Sequence, residues 1–99
     1  NMDIKKTKND TTLTLAIQGR IDTTTAPQLE AEVKADIDGV TELYLDFAGV
    51  EYISSAGLRV ILSAQKTMNR QGKMVLSHVS EPVMEIFEVT GFSDILTIA

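Results

Sequence analysis

Apolar and polar residues along this chain change period repeatedly, alternating at every second position in some stretches and recurring at every third or fourth in others. Leu13, Leu15 and Ile17 alternate with Thr12, Thr14 and Ala16, which predicts a strand over 11–18 with one buried face. Ile4 to Lys8 reads as an edge strand before it, and a tight turn at Asn9-Asp10 would join the two as a hairpin. Gly19-Arg20-Ile21-Asp22 reads as a break, and Thr23-Thr24-Thr25 leads into a helix. Thr25 and Gln28 have capping-box spacing, and Pro27 suits the first turn, where its missing N–H costs nothing. Leu29, Val33 and Ile37 form one stripe of that helix, Glu30, Glu32 and Lys34 take its other faces, and Asp38-Gly39 ends it. Leu43 to Phe47 is apolar on both faces, as a central strand would be. Leu58, Ile61, Leu62, Gln65 and Met68 recur at helical spacing, predicting a helix from Ala56 to Arg70 that stops at Gln71-Gly72. Lys73 to Ser77 reads as a strand. Ser80 and Pro82 open a third helix with Val83, Ile86 and Phe87 inward and Thr90-Gly91 at its end, and Ile95 to Ile98 reads as a short final strand.

Hairpin, helix, strand, helix, strand, helix, strand is an α/β order with a mixed sheet, and the parallel crossovers should be right-handed. At 99 residues, with 43 % hydrophobic and 23 % charged residues, the chain suits one soluble domain spanning 1–99. Asn1 ahead of Met2 reads as a residue left over from cloning. The formal net charge is −5, nine Lys and Arg against fourteen Asp and Glu, and only Lys5, Lys6 and Lys8 cluster. That balance argues against nucleic acid as a partner, which calls for a basic patch. There is no cysteine, which excludes disulfides, thiolate catalysis and Cys-ligated metals and fits a reducing cytoplasm. No apolar run approaches the ~18 residues that cross a bilayer, so direct membrane insertion is not expected.

An enzyme reading finds little to build on. His78 is the single histidine, which rules out a His-pair metal site and leaves any Ser-His-Asp arrangement dependent on one loop residue. Gly-x-Ser-x-Gly, His-Glu-x-x-His and the Gly-rich phosphate loops are absent. Glu30 with Glu32, and Asp36 with Asp38, fall two apart on a helix and do not face one another. Met68, Met74 and Met84 read as packing residues. No cofactor is implied.

Two polar junctions remain. Asp22 to Thr25 follows one strand, and Ser54-Ser55-Ala56-Gly57 follows another and opens a helix. If the two strands run parallel, both junctions lie at one sheet edge, where open α/β sheets bind ligands. A helix N-terminus presents unpaired N–H groups and partial positive charge, which suits a phosphate on a serine there. The simpler reading is local: Ser as an N-cap, Asp22 as a turn residue and Thr25 as a cap.

Three segments together resemble a STAS domain, the fold of bacterial anti-sigma factor antagonists. Gly19-Arg20-Ile21-Asp22-Thr23-Thr24-Thr25-Ala26-Pro27-Gln28-Leu29 is similar to the family's Gly-Arg/Glu-Leu-Asp…Thr-Ala-x-x-Leu segment. Leu45-Asp46-Phe47-Ala48-Gly49-Val50 is similar to the strand and turn before its signature, and Tyr52 to Leu62 to the signature itself, usually Ile-Asp-Ser-Ser-Gly-Leu and an apolar helix. The resemblance implies an anti-sigma factor antagonist, switched off by phosphorylation at Ser55, with Ser54 as the alternative acceptor. In the family a kinase that doubles as the anti-sigma factor modifies the serine after the signature Asp. That Asp aligns with Ser54, so the acceptor is kept and the carboxylate before it is lost. The implied partners are a GHKL-type serine kinase that is also the anti-sigma factor, and a serine phosphatase. Asp22, Thr23, Thr25, Ser54, Ser55, Ala56, Gly57 and Arg59 are the expected docking residues. The alternative is a scaffold subunit of a transport or signalling complex with the same fold and no phosphate switch.

Overall fold

The computed structural model describes residues 2–99, and the reading of Asn1 lies outside them. Strands β1 (Met2–Asn9), β2 (Thr12–Ile21), β3 (Glu42–Ile53) and β4 (Lys73–Ser77) form one sheet in the order β1-β2-β3-β4. The β1–β2 pair is antiparallel, and β2–β3 and β3–β4 are parallel. Helices α1 (Ala26–Asp36) and α2 (Ser55–Gln71) make the two parallel crossovers, and α3 (Glu81–Thr90) follows β4.

The two-residue alternation of β2, β3 and β4 determines where the core lies. Leu13, Leu15, Ile17, Leu43, Leu45, Phe47, Met74 and Leu76 are buried on one face. Lys6, opposite Leu15 in register, reaches Glu32 and Asp36 of α1 from that face. Phe47 meets Phe87 of α3 with ring centroids 6.3 Å apart. The helices therefore lie on a single side of the sheet. They answer with Leu29 and Val33 from α1, Leu58, Ile61, Ala64 and Met68 from α2, and Val83 and Phe87 from α3. Each fully buried large apolar side chain contributes roughly 1.5–3 kcal/mol, so the inward faces decide the layer arrangement. The other sheet face carries Thr14, Ala16, Tyr44 and Val75, all half-buried.

Several expectations need correction. The hairpin turn sits at Asp10-Thr11, one residue later than predicted, with Asp10 in the left-handed region at φ 60°. Gly19-Arg20-Ile21 does not break β2. Irregularities in register between Ala16 and Gln18 and between Gly19 and Arg20 absorb the misfit with β3, and pairing continues to Ile21 opposite Ile53. For the same reason β3 runs on through Ala48 to Ile53, where a turn was expected. The final strand is reduced to a 3-10 turn at Phe92–Asp94 and a single parallel bridge from Ile98 to Leu76. Leu96 is buried against the core while Ile95 is half exposed, so this segment follows the packing and not a strand period.

The capping box at Thr25 does not form. Thr25 occupies the cap position, yet its hydroxyl makes no bond to the helix. Ser54 does cap α2, accepting from the Gly57 N–H at 3.4 Å. The α2–β4 junction is tight: a Cβ on Gly72 would lie 1.9 Å from the Thr41 carbonyl oxygen, which itself accepts the Lys73 N–H.

Candidate functional site

Because β2 and β3 are parallel neighbours, their C-terminal ends place the two polar junctions side by side, as anticipated for strands of that sense. The Ser54 N–H donates to the Ile21 carbonyl at 2.8 Å and ties one junction to the other. Gly57 makes this approach feasible. A Cβ there would lie 2.6 Å from Ile21 Cγ2 and 2.7 Å from Ile53 Cγ1. Gly57 is buried, so of the eight expected docking residues it seats the helix and offers no surface to a partner.

Asp22 organises its own loop. Its Oδ1 accepts from the Thr24 N–H at 3.0 Å, the Thr24 hydroxyl at 2.8 Å and the Thr25 N–H at 3.1 Å. The Thr25 hydroxyl donates to the Arg20 carbonyl at 2.7 Å and accepts the Asp22 N–H at 2.8 Å. The Thr24 hydroxyl, with the Thr24 and Thr25 backbone donors behind it, holds the Asp22 carboxyl below the usual carboxylate range, and partial desolvation opposes the shift. Asp22 and Thr25 are thus committed inside the loop, while Thr23 and Thr24 face solvent.

Ser54 and Ser55 differ in the same way. Ser54 is half-buried, with its amide on Ile21 and its hydroxyl on Gly57. Ser55 is the first residue of α2 and is exposed. Beside it an open groove of about 390 Å³ runs between α1 and α2, lined by Thr23, Ala26, Pro27, Glu30, Ala56, Arg59, Val60 and Ser63. Arg59 is exposed and makes no ion pair among the described residues.

Arg20 and Tyr52 escaped sequence reasoning. They are register partners at the ends of β2 and β3, with the Arg20 guanidinium carbon 4.4 Å from the Tyr52 ring centroid. Ending β2 at Gln18 hid this pairing. The groove residues Pro27, Glu30, Val60 and Ser63 were also missed, although Ala56, Val60 and Ser63 fall at helical spacing on one face. Outside this edge, exposed His78 adopts φ 57° and places Nδ1 3.0 Å from Asp46 Oδ1, which suits the loop role expected of it. No group of acidic and His side chains among the described residues could hold a metal ion.

The STAS domain model matches residues 3–99. The chain belongs to the STAS family. It is 40 % identical over 100 residues to the Bordetella bronchiseptica protein called anti-sigma factor antagonist BtrV, an alignment covering 99 % of this chain and 86 % of that protein. To the anti-sigma-B factor antagonist of Staphylococcus aureus it is 30 % identical, over 97 % of this chain and 91 % of the relative. Among solved structures, an anti-sigma factor antagonist from Mycobacterium paratuberculosis superposes with a TM-score of 0.89 at 20 % identity, covering 99 % of this chain and 85 % of that one. The Bacillus cell fate determinant SpoIIAA in its phosphorylated form superposes with a TM-score of 0.76 at 18 % identity, over 98 % of this STAS chain and 91 % of its own. These structural likenesses establish the fold, a mixed four-stranded sheet with an N-terminal hairpin and helices. No helix among the described residues is long and apolar enough to cross a membrane.

Proposed function

We propose that this STAS domain is an anti-sigma factor antagonist that docks on its anti-sigma factor through the edge formed by Asp22 to Thr25 and Ser54 to Arg59, and that phosphorylation of Ser55 ends the docking. The observation that carries the reading is the position of Ser55, exposed at the first turn of α2 beside the α1–α2 groove and next to the ordered Asp22 loop. The names of the two relatives, each matched over nearly the whole chain, support the class of function. That SpoIIAA, a structural neighbour, has a phosphorylated form supports a phosphate switch on this fold.

The switch is local in physical terms. A phosphate adds roughly −1.5 to −2 charge at neutral pH, and the helix N-terminus tolerates it without refolding. A partner surface fitted to a neutral hydroxyl would instead have to desolvate a dianion. A loss of ~3 kcal/mol would weaken docking about a hundredfold. Ser54 stands where the family signature has Asp, and its hydroxyl caps α2, so the helix start is kept without the carboxylate. Its hydroxyl and amide are both engaged, which favours Ser55 over Ser54 as acceptor. The partner under this reading is a GHKL-type serine kinase that is also the anti-sigma factor, with a serine phosphatase to restore the docking form.

Incubation with ATP and the GHKL-type serine kinases of the same genome, followed by mass spectrometry, tests the reading. One kinase should add a single phosphate at Ser55, with none on Ser55→Ala, and the unmodified chain alone should capture that kinase. A phosphate placed elsewhere, or equal capture of both forms, would refute the switch.

A further inference from the structure

Arg20 is an arginine whose local partners leave it available. Its side chain is 59 % exposed, and Nε stands 3.8 Å from Asp22 Oδ2, beyond hydrogen-bond length. The donors of the Asp22 loop all converge on Oδ1. Arg20 therefore rests on the Tyr52 ring with its terminal nitrogens unbonded to any carboxylate among the described residues. An exposed cation–π contact is a weak hold, so a stronger anion nearby would displace it.

The place where such an anion would arise is close. Tyr52 is three residues before Ser55, and the Ser54–Ile21 hydrogen bond holds the α2 start against the strand that carries Arg20. One strand spacing of about 4.8 Å and three residues at about 3.3 Å each put the Arg20 and Ser55 backbones at most roughly 11 Å apart, and the turn into α2 shortens that path. An extended arginine and a phosphoserine together span about that distance. A planar guanidinium matches phosphate oxygens in paired hydrogen bonds, which neither Asp22 Oδ2 nor Tyr52 offers it here.

We propose that Arg20 is the charge partner of the phosphoryl group on Ser55, leaving Tyr52 and Asp22 to close on it. The proposal rests on Ser55 being the phosphate acceptor. It makes the modification alter the docking rim twice: by the charge added at α2, and by the removal of a stacked arginine from the end of the sheet. Arg59, four residues along α2 from Ser55, approaches the same phosphate from the helix side. Asp22, Glu30 and Glu51 are the opposing charges on the neighbouring loop, helix and strand.

Phosphoserine installed at position 55 by genetic code expansion allows a test that needs no kinase. The second ionisation of the phosphate, followed by ³¹P NMR, should fall about half a unit lower in the otherwise unaltered chain than in Arg20→Gln, with Arg20→Lys between them. Adding Arg59→Gln should raise it further and leave the Arg20 effect in place. The Arg20 Nε–H and Tyr52 ring signals should move on phosphorylation, a readout that requires no variant. Identical titration with and without the Arg20 guanidinium, or Arg20 and Tyr52 signals indifferent to the phosphate, would overturn the proposal and leave Ser55 as acceptor untouched. Failure of every kinase to modify Ser55 would instead overturn the acceptor reading, whatever the titration showed.

Discussion

Gly57→Ala places two known effects in opposition. Alanine is favoured over glycine in a helix by at most about 1 kcal/mol, so propensity alone predicts a more stable protein. The new Cβ, however, would sit 2.6 Å from Ile21 Cγ2 and 2.7 Å from Ile53 Cγ1, where ordinary carbon contacts lie near 3.5–4.0 Å. Both isoleucines are buried and β-branched, so neither the Ile21 methyl nor the Ile53 methylene can turn aside cheaply. The start of α2 must lift by about 1 Å, an overpacking cost of about 1–3 kcal/mol that exceeds the propensity gain. The expected net loss is about 1–2 kcal/mol, a fall in melting temperature of roughly 5–15 °C for a domain of this size. Urea denaturation followed by circular dichroism measures it, and amide shifts should concentrate at Ser54 to Leu58 and around Ile21. In an Ile21→Ala background the same substitution should cost at least 0.5 kcal/mol less, because the nearest methyl is gone. A Gly57→Ala protein as stable as the parent would refute the argument that this glycine seats the helix.

Ser54→Ala should destabilise by about 0.5–1 kcal/mol through loss of the cap, whereas Ser55→Ala should leave the urea midpoint unchanged, which separates the structural serine from the exposed one. Gln65 is buried with Oε1 unbonded, so Gln65→Met should raise stability by about 1 kcal/mol in the same assay. The carboxyls of Asp22, Asp36 and Asp46 are all held low, by the Thr24 hydroxyl, by the Lys6 ammonium, and by the Ala48 N–H with His78, respectively. Their contribution is complete above the unfolded value of about 3.9 and is lost as pH falls through the lower folded values, so urea midpoints should hold steady between about pH 5 and 7 and drop below about pH 4. Asp46→Asn should make that acid drop shallower.

Local pattern determined most of the architecture. Alternation at Leu13, Leu15 and Ile17 and helical spacing at Leu58, Ile61 and Met68 fix which faces are apolar, and burial of those faces leaves little choice of layers. Proline near the starts of α1 and α3, the serine pair at the start of α2, and glycine near their ends located the three helices to within a residue or two. Where the chain depended on neighbours, local signals misled. Gly19 and Gly49 look like strand breaks in isolation, yet pairing between β2 and β3 carries both strands on to Ile21 and Ile53. The Thr25 capping box was legible as a motif, but the Asp22 carboxylate captured the Thr25 N–H, the Gln28 N–H went to the Thr25 carbonyl, and the hydroxyl turned to the Arg20 carbonyl.

The candidate site divides along the same line. Ser54 and Ser55 at a helix start, and an acid after a strand, are readable in sequence because capping chemistry is local. That the two junctions touch, that Ser54 is engaged while Ser55 is free, and that Arg20 rests on Tyr52 follow from strand register, which adds contacts between residues some thirty positions apart. Sequence alone determined the elements and their inward faces, since periodicity and side-chain polarity act over a few residues. Tertiary structure decided which polar groups remain unspent at the edge, since that depends on partners that only the folded sheet brings within bonding distance.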